Sequence, residues 1–172
     1  MMASVREGTF FLLPVETGQY GVGLVVRAPR RGGVLLGYFF GPRRTSTPTR
    51  EWLQSRVGPQ AILVARFRDQ ALFRGEWKTL HVMEPFHRNA WPVPAFHRFD
   101  GSITATPGAT TVTDWRIQYG DDNLIMPLDE RPASGVDLRL REDTVYDPAS
   151  LCREVGAWIT AAVPSADDTL WR

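Results

Sequence analysis

The chain has 172 residues, and its 43% apolar and 23% charged side chains are typical of one globular domain. The formal net charge of +1, from 20 basic and 19 acidic residues, excludes a general electrostatic attraction to nucleic acid or anionic membranes. No apolar run approaches the ~20 residues of a membrane-spanning helix, and the first residues lack the apolar stretch of a signal peptide.

The first predicted elements form a β-meander. Residues 9–15 (TFFLLPV) are a short apolar run, and a turn sequence follows at 16–19. Apolar side chains then occupy every second position from Tyr20 to Val26, which predicts a strand paired with the first. Gly21 and Gly23 lie between them, and glycines on one strand face allow coiling or the close approach of another backbone. A turn at 30–33 leads to a third strand at 34–40 (VLLGYFF).

A short helix is predicted next. Thr47 is a suitable N-cap, Pro48 suits the first helical position, and the Gly-Pro pair at 58–59 ends the helix. Its apolar side chains would face the core: Trp52, Leu53 and Val57.

The middle of the chain predicts further strands and one irregular segment. Strands are expected at 61–67 and 77–82. The two prolines of WPVP at 91–94 remove backbone donors, so an ordered, aromatic-rich loop is expected over 87–96. Alternation of Trp115, Ile117 and Tyr119 predicts a strand that pairs with 124–128 across a turn at 120–123.

The last predicted element is a helix. Asp147 is a natural N-cap and Pro148 suits the first helical position. Apolar residues then recur on one stripe until Pro164: Leu151, Val155, Trp158, Ile159 and Ala162. No repeat or linker divides the chain, so we expect a single domain over 1–172, with a core at about 7–163 and a polar tail at 165–172.

Together these elements predict an α+β fold that is mainly β. Its sheet would be a strongly coiled antiparallel sheet or a small SH3-like barrel. One short helix and a C-terminal helix would pack on it.

No catalytic signature emerges from the motifs. The glycines at 18, 21 and 23 have the reverse of the dinucleotide-binding spacing, and no helix follows them. His81, His87 and His97 lack the spacing of a metal site, and the adjacent carboxylate pairs are typical of turns. A hydrolase using His87 or His97 would need a metal or a deep pocket that the sequence does not indicate. We therefore predict no enzyme, no metal and no cofactor.

The only cysteine, Cys152, excludes an intramolecular disulfide, and we expect a cytoplasmic protein. Charge is distributed unevenly, because residues 1–86 carry 12 basic and 6 acidic side chains and residues 87–172 carry 8 and 13. Basic pairs at 30–31 and 43–44 lie near aromatic residues, as in proteins that bind single-stranded nucleic acid, but the net charge argues against such a partner.

Several segments resemble a known family. They are EGTFFLLPVETGQYGVGLVV, GVLLGYFFG and GEWKTLHVMEPFHRNAWPVPAF, and together with the residues around them they span about residues 7–126. They resemble the immunity protein 26 family of bacterial polymorphic-toxin systems. The matching residues are Gly8, Pro14, Gly18, Tyr20, Gly21, Gly23, Gly75, Trp77, Pro85, Trp91, Pro92, Pro94 and Phe96. Small SH3-like barrels open with a similar pattern.

The resemblance implies a non-enzymatic protein that binds a cognate toxin domain and neutralises it by stoichiometric occlusion. The alternative is a small β-barrel module that binds a peptide or nucleic acid and has no link to toxins.

Candidate contacts follow from charge and loop chemistry. Many toxins of these systems are nucleases with basic surfaces, so Asp121 and Asp122 in the acidic half are expected to face the toxin. His87, Arg88 and Trp91 of the proline-rich loop are the other candidates, with Trp91 as a possible hydrophobic anchor. The alternative for Trp91 is a core side chain that closes the end of the barrel.

Overall fold

The computed structural model describes residues 5–31, 33–103, 110–134 and 140–161. The strands within these ranges are β1 (Thr9–Glu16), β2 (Gln19–Arg27), β3 (Val34–Arg44), β4 (Leu63–Arg68), β5 (Thr79–Val82), β6 (Ala95–Ile103), β7 (Thr110–Gln118), β8 (Asp129–Pro132), β9 (Arg141–Glu142) and β10 (Val145–Tyr146). The α-helices are α1 (Arg50–Gln54), α2 (Gln70–Phe73) and α3 (Pro148–Ala161), and short 3-10 helices lie at Gly58–Gln60 and Arg88–Ala90. None of the described helices is long and apolar enough to span a membrane.

The described strands form two open sheets. One has the order β10-β4-β3-β2-β1-β5, and the other has the order β8-β7-β6-β9. All pairs are antiparallel except β10 with β4 and β9 with β6. The predicted class, α+β and mainly β with a short helix and a C-terminal helix, is confirmed, while the SH3-like barrel is not found among these strands.

The larger sheet is covered on both faces. Alternation along β2 separates Val22 and Leu24, which pack toward the smaller sheet, from Val25, which packs in the second core cluster. The first face meets Phe96 and Ile117 of the smaller sheet, whereas the second face meets α3. The predicted meander is therefore the middle layer of a helix–sheet–sheet arrangement.

The strand glycines admit side chains rather than another backbone. A Cβ atom at Gly23 would lie 2.2 Å from Cζ of Phe11, because the two residues are opposite each other in the β1–β2 hairpin. The Phe11 ring crosses this position and stacks on Trp77, with ring centroids 5.6 Å apart. A glycine is thus required where the aromatic core meets the sheet.

Helix α1 begins later than predicted. Thr49, and not Thr47, is the N-cap, and its Oγ1 accepts a hydrogen bond from the backbone N–H of Trp52 at 3.2 Å. Trp52 and Leu53 are buried as predicted, but Val57 is 52% exposed. The helix ends at Gln54, so helical periodicity no longer applies at residue 57.

Two strand predictions needed correction, and one helix was missed. Strand β6 starts at Ala95, inside the expected loop, and α2 was not anticipated. The partner of β7 after the turn is β8 at Asp129–Pro132, not 124–128. Leu124 is 1% exposed and belongs to the core, so the chain turns inward there before it pairs again.

Helix α3 confirms the predicted cap and core face. The Asp147 carboxylate accepts a hydrogen bond from Ser150 N at 3.0 Å, and Leu151, Val155 and Ile159 are buried. Ala162, Pro164 and the tail at 165–172 lie outside the described residues.

A buried cation joins the two sheets. Arg66 of β4 is 4% exposed and donates to Asp143 Oδ1 at 2.5 Å and to the Leu124 carbonyl at 2.6 Å. Its guanidinium lies 3.9 Å from the centroid of the Tyr119 ring, and the Tyr119 hydroxyl donates to Asp143. Burial and then the Asp143 carboxylate raise the pKa of Tyr119 to about 12, against the opposing effect of Arg66.

Replacing Arg66 tests this connection. Arg66→Met is expected to lower the free energy of unfolding by about 3–5 kcal/mol, because Asp143 stays buried without its main partner. The double variant with Asp143→Asn is expected to regain part of the loss. Arg74→Met, at a side chain that is 71% exposed, is the control and should change stability by less than about 0.5 kcal/mol in urea denaturation. Equal effects of the two single variants would contradict a structural role for Arg66.

The cap of α3 makes stability depend on pH. Hydrogen bonds from the Ser150 hydroxyl and backbone N–H lower the pKa of Asp147 below its ordinary value of 3.8. The contribution of the carboxylate is therefore present above that ordinary value and is lost as pH falls through the folded-state pKa. Asp147→Ala is expected to lower Tm by roughly 3 °C at neutral pH, and the difference from wild type should shrink between about pH 5 and about pH 2. Asp147→Ser, which keeps an N-cap without a charge, should show a difference from wild type far smaller than that of Asp147→Ala at neutral pH.

Candidate functional site

Five charged side chains from four separate segments meet at one surface. They are named here the arginine–carboxylate cluster: Glu7, Arg27, Arg88, Asp121 and Asp122. Glu7 precedes β1, Arg27 ends β2, Arg88 begins the second 3-10 helix, and the two aspartates follow β7. Three of the five residues proposed from the sequence, Arg88, Asp121 and Asp122, are thus brought together.

Arg88 is held by two carboxylates. Its Nε donates to Glu7 Oε2 at 2.7 Å, and its second terminal nitrogen donates to Glu7 Oε1 at 2.6 Å and to Asp122 Oδ1 at 3.1 Å. Two parallel N–H···O bonds to one carboxylate fix the guanidinium plane. The hydrogen bond to Glu7, and then that to Asp122, raises the pKa of Arg88, so its charge is permanent.

Arg27 is the buried member of the cluster and bonds to both Asp121 and Arg88. Its side chain is 3% exposed, and it donates to Asp121 Oδ1 at 2.7 Å, to the Val26 carbonyl at 2.7 Å and to the Arg88 carbonyl at 3.3 Å. A buried guanidinium needs such partners to offset its lost hydration. The Asp121 side chain remains 55% exposed, so one face of this carboxylate is available to solvent.

Gly8 sets the position of Glu7. Its φ of +87° is the left-handed conformation that favours glycine, and a Cβ there would lie 3.2 Å from the Met83 carbonyl oxygen. Gly8 N donates to the Val25 carbonyl and Gly8 O accepts from Met83 N, both at 2.8 Å. The turn before β1 is thereby fixed between two strands, and Glu7 points toward Arg88.

A cleft of about 300 Å³ lies beside the cluster. His87 and Trp91 line it, on either side of the 3-10 helix that begins with Arg88. Its other lining residues are Gln54, Arg56, Val57, Gly58, Pro59, Met83, Pro85 and Ala90. His87, the fourth proposed residue, therefore lies at the cleft rather than in the cluster.

Trp91 is a core side chain in the free protein. It is 3% exposed and packs edge-on against Tyr38 and Phe40, with ring centroids 5.2 and 6.2 Å apart. The Tyr38 hydroxyl donates to the Pro92 carbonyl at 2.6 Å and ties the loop to β3. The burial of Trp91 agrees with the alternative that it is a core side chain. Direct contact between Trp91 and a toxin stays a prediction.

The chemistry available at this surface is ionic and hydrogen-bonding. Among the described residues, no three His, Cys, Asp or Glu side chains are grouped as metal ligands. His97 pairs with Asp114 at 2.9 Å, away from the cluster. Burial raises the pKa of the Cys152 thiol to about 11, so this sulfur is protonated at neutral pH and is a poor nucleophile.

The basic pair at 43–44 is engaged within the protein. Arg43 pairs with Glu16 at 2.7 Å and also bonds to Thr160, while the guanidinium carbon of Arg44 lies 4.0 Å from the centroid of the Trp52 ring. These contacts give both side chains a structural role, which weakens the interpretation of the pair as a nucleic-acid contact.

Glu7 and Arg27 were not anticipated from the sequence. The available signal was Arg27 itself, a single charge at the end of the apolar strand 20–26, where a buried or paired cation is the usual explanation. Glu7 carried no signal, because its partner Arg88 lies 81 residues away.

The two aspartates are expected to differ in their effect on stability. Asp121→Ala leaves the buried Arg27 without a charged partner, so a loss of about 2–4 kcal/mol is expected. Asp122→Ala removes a side chain that is 86% exposed, and Arg88 keeps Glu7, so the change should stay within about 0.5 kcal/mol. Chemical denaturation of both variants measures the difference, and equal losses would argue against Asp121 as the partner of Arg27.

Comparison with known proteins identifies the family. Residues 6–105 match the family model described as immunity protein 26. This range is more than half of the chain and contains Glu7, Arg27 and Arg88, while Asp121 and Asp122 lie beyond it. No curated protein and no solved structure matched the chain. The resemblance seen in the sequence is confirmed, and the chain belongs to the immunity protein 26 family.

Proposed function

We propose that this protein binds a cognate toxin domain and neutralises it by stoichiometric occlusion, in the cytoplasm of the bacterial cell that makes the toxin. The family match over residues 6–105 is the observation that carries the proposal. An immunity protein needs a protein partner and a surface that recognises it, and the arginine–carboxylate cluster is the proposed surface.

The geometry of the cluster supports this role. Asp121 and Asp122 are 55% and 86% exposed, yet each is held in place by an arginine. Side chains that are already ordered lose less entropy when a partner binds. The cluster contains three carboxylates and two guanidinium groups, so it favours a partner with a basic surface, whose approach it would also accelerate.

The proposed roles of the five candidate residues follow from their positions. Asp121 and Asp122 face the toxin directly, and Arg88 holds Asp122 while its own charge is balanced by Glu7. His87 lies at the rim of the cleft. Trp91 acts by holding the loop against β3, with direct contact to the toxin limited by its burial.

Growth rescue tests the function. The toxin-like C-terminal region encoded beside this gene would be expressed with and without this protein, and the pair would be purified together. Rescue with a 1:1 complex is the expected result, because occlusion is stoichiometric. Lack of rescue while both chains are well expressed would overturn the proposal and favour a binding module for another partner, which copurifying nucleic acid that dissociates with salt would identify.

Charge reversal tests the placement of the surface. Asp122→Arg is expected to lower the association rate with the toxin by about 10-fold at low salt, and the effect should shrink as salt screens the charges. Glu76→Arg is the control, since the Glu76 side chain is 55% exposed and pairs only with the exposed Arg74 among the contacts described. Stopped-flow or surface binding measures both rates.

Asp121 is also the ion-pair partner of the buried Arg27. The unfolding of the combined Asp121→Ala and Asp122→Ala variant must therefore be measured together with its toxin binding, so that loss of stability is not mistaken for loss of a contact. A folded double variant that binds the toxin as tightly as wild type would remove the two aspartates from the interface.

A further inference from the structure

Three large apolar side chains are exposed within four consecutive residues. Ile125 is 51% exposed, Met126 69% and Leu128 75%. In the described part of the chain only three other large apolar side chains are as exposed, and they lie on separate elements: Val57, Phe73 and Phe99. Residues 124–128 are named here the apolar turn. A concentration of exposed apolar area on one turn indicates an interaction site rather than scattered surface residues.

The apolar turn is held rigidly at both ends. Leu124 is 1% exposed, and its carbonyl accepts a hydrogen bond from the buried Arg66 at 2.6 Å. Asn123 Oδ1 accepts from the backbone N–H groups of Ile125 and Met126 at 3.0 Å each. Leu128 N donates to the Gln118 carbonyl at 2.8 Å. The exposed side chains are therefore presented on a backbone that is already ordered before any partner binds.

Acidic residues border the apolar turn on both sides. Asp121 and Asp122 precede it, and Asp129 and Glu130 follow it. With Arg131, the segment 121–131 has four carboxylates and one guanidinium, a formal charge of −3. Arg27, Arg88 and Arg98 pair with three of these carboxylates, whose side chains nevertheless stay 40–86% exposed. With these three arginines counted, the formal charge is zero, and the result is an apolar centre with a rim of exposed carboxylates, which is the anatomy of a protein–protein interface.

We infer that Ile125, Met126 and Leu128 insert into an apolar cleft of the toxin domain that is bordered by basic residues. This inference rests on the proposed function and specifies the partner's surface. The toxin is the favoured occupant because the apolar turn directly follows Asp121 and Asp122 and is therefore continuous with the surface proposed for the toxin.

A triple variant tests the inference. Ile125→Ser, Met126→Ser and Leu128→Ser together are expected to raise Kd for the toxin domain encoded beside this gene by about 100-fold, mainly through faster dissociation. The control variant Phe73→Ser removes exposed apolar area on α2, where Phe73 is 58% exposed, and should change Kd by less than about 3-fold. Tm of both variants should stay within about 2 °C of wild type, since no buried group is altered.

A measurement on the wild-type protein tests the inference even if the triple variant does not fold. Methyl NMR should show a larger shift on toxin binding for the methionine methyl of Met126 than for that of Met83, which is 7% exposed. An unchanged Met126 signal in a saturated complex would place the interface elsewhere.

The outcomes separate the inference from the proposed function. If wild type rescues and binds while the triple variant binds within 3-fold of wild type, the apolar turn is not the contact, although the proposed function stands. If wild type neither rescues nor binds, both are overturned. A wild-type dimer in sedimentation that becomes monomeric in the triple variant would assign the turn to a second copy and overturn the toxin as its occupant.

Discussion

The position of the turn after β7 depends on one buried cation, the guanidinium of Arg66, and on the contacts that compensate its charge. This guanidinium lies between the two sheets, where a lone cation would be unstable, and it is compensated by Asp143, the Leu124 carbonyl and the Tyr119 ring. Tyr119 and Leu124 flank the acidic turn that follows β7. The compensation of one internal charge therefore also determines where that turn lies relative to the larger sheet.

Arg27 repeats the arrangement with an exposed partner. Its side chain is 3% exposed and that of Arg66 is 4% exposed, and its partner Asp121 belongs to the same turn. Strands β2 and β4 of the larger sheet thus each contribute one buried arginine that donates hydrogen bonds to the segment 120–124, which follows β7 of the smaller sheet. Hydrogen bonds that involve a charged group are short and fix the geometry of both partners. The two arginines therefore orient the segment 120–124 more closely than hydrophobic packing alone would. The surface proposed for toxin binding is thus ordered by two buried charges.

Local patterns account for what could be read from the sequence about the fold. The meander and helix α3 involve neighbours in the chain, and their alternation, turn residues and caps are local signals. The errors arose where two local signals competed or where a distant contact decided. Thr47 and Thr49 both suit an N-cap, and only the Trp52 N–H bond selects Thr49. Strand β6 begins directly after the prolines because β7 pairs with it from Ala95 onward.

The sequence by itself determined the family, the mainly β class and the residue types of the candidate surface, including the acidic pair at 121–122 and the arginine of the proline-rich loop. Tertiary structure alone decided that Arg88 meets Asp122 across 34 residues and Glu7 across 81, and that Trp91 is packed inside. It also decided the direction of Arg27, because the β2–β3 register shifts between Val25 and Arg27, and a bulge of this kind re-aims a side chain. Contacts between distant segments cannot be read from local sequence patterns, because the alternation, turns and caps around each residue are the same whichever distant residue it contacts.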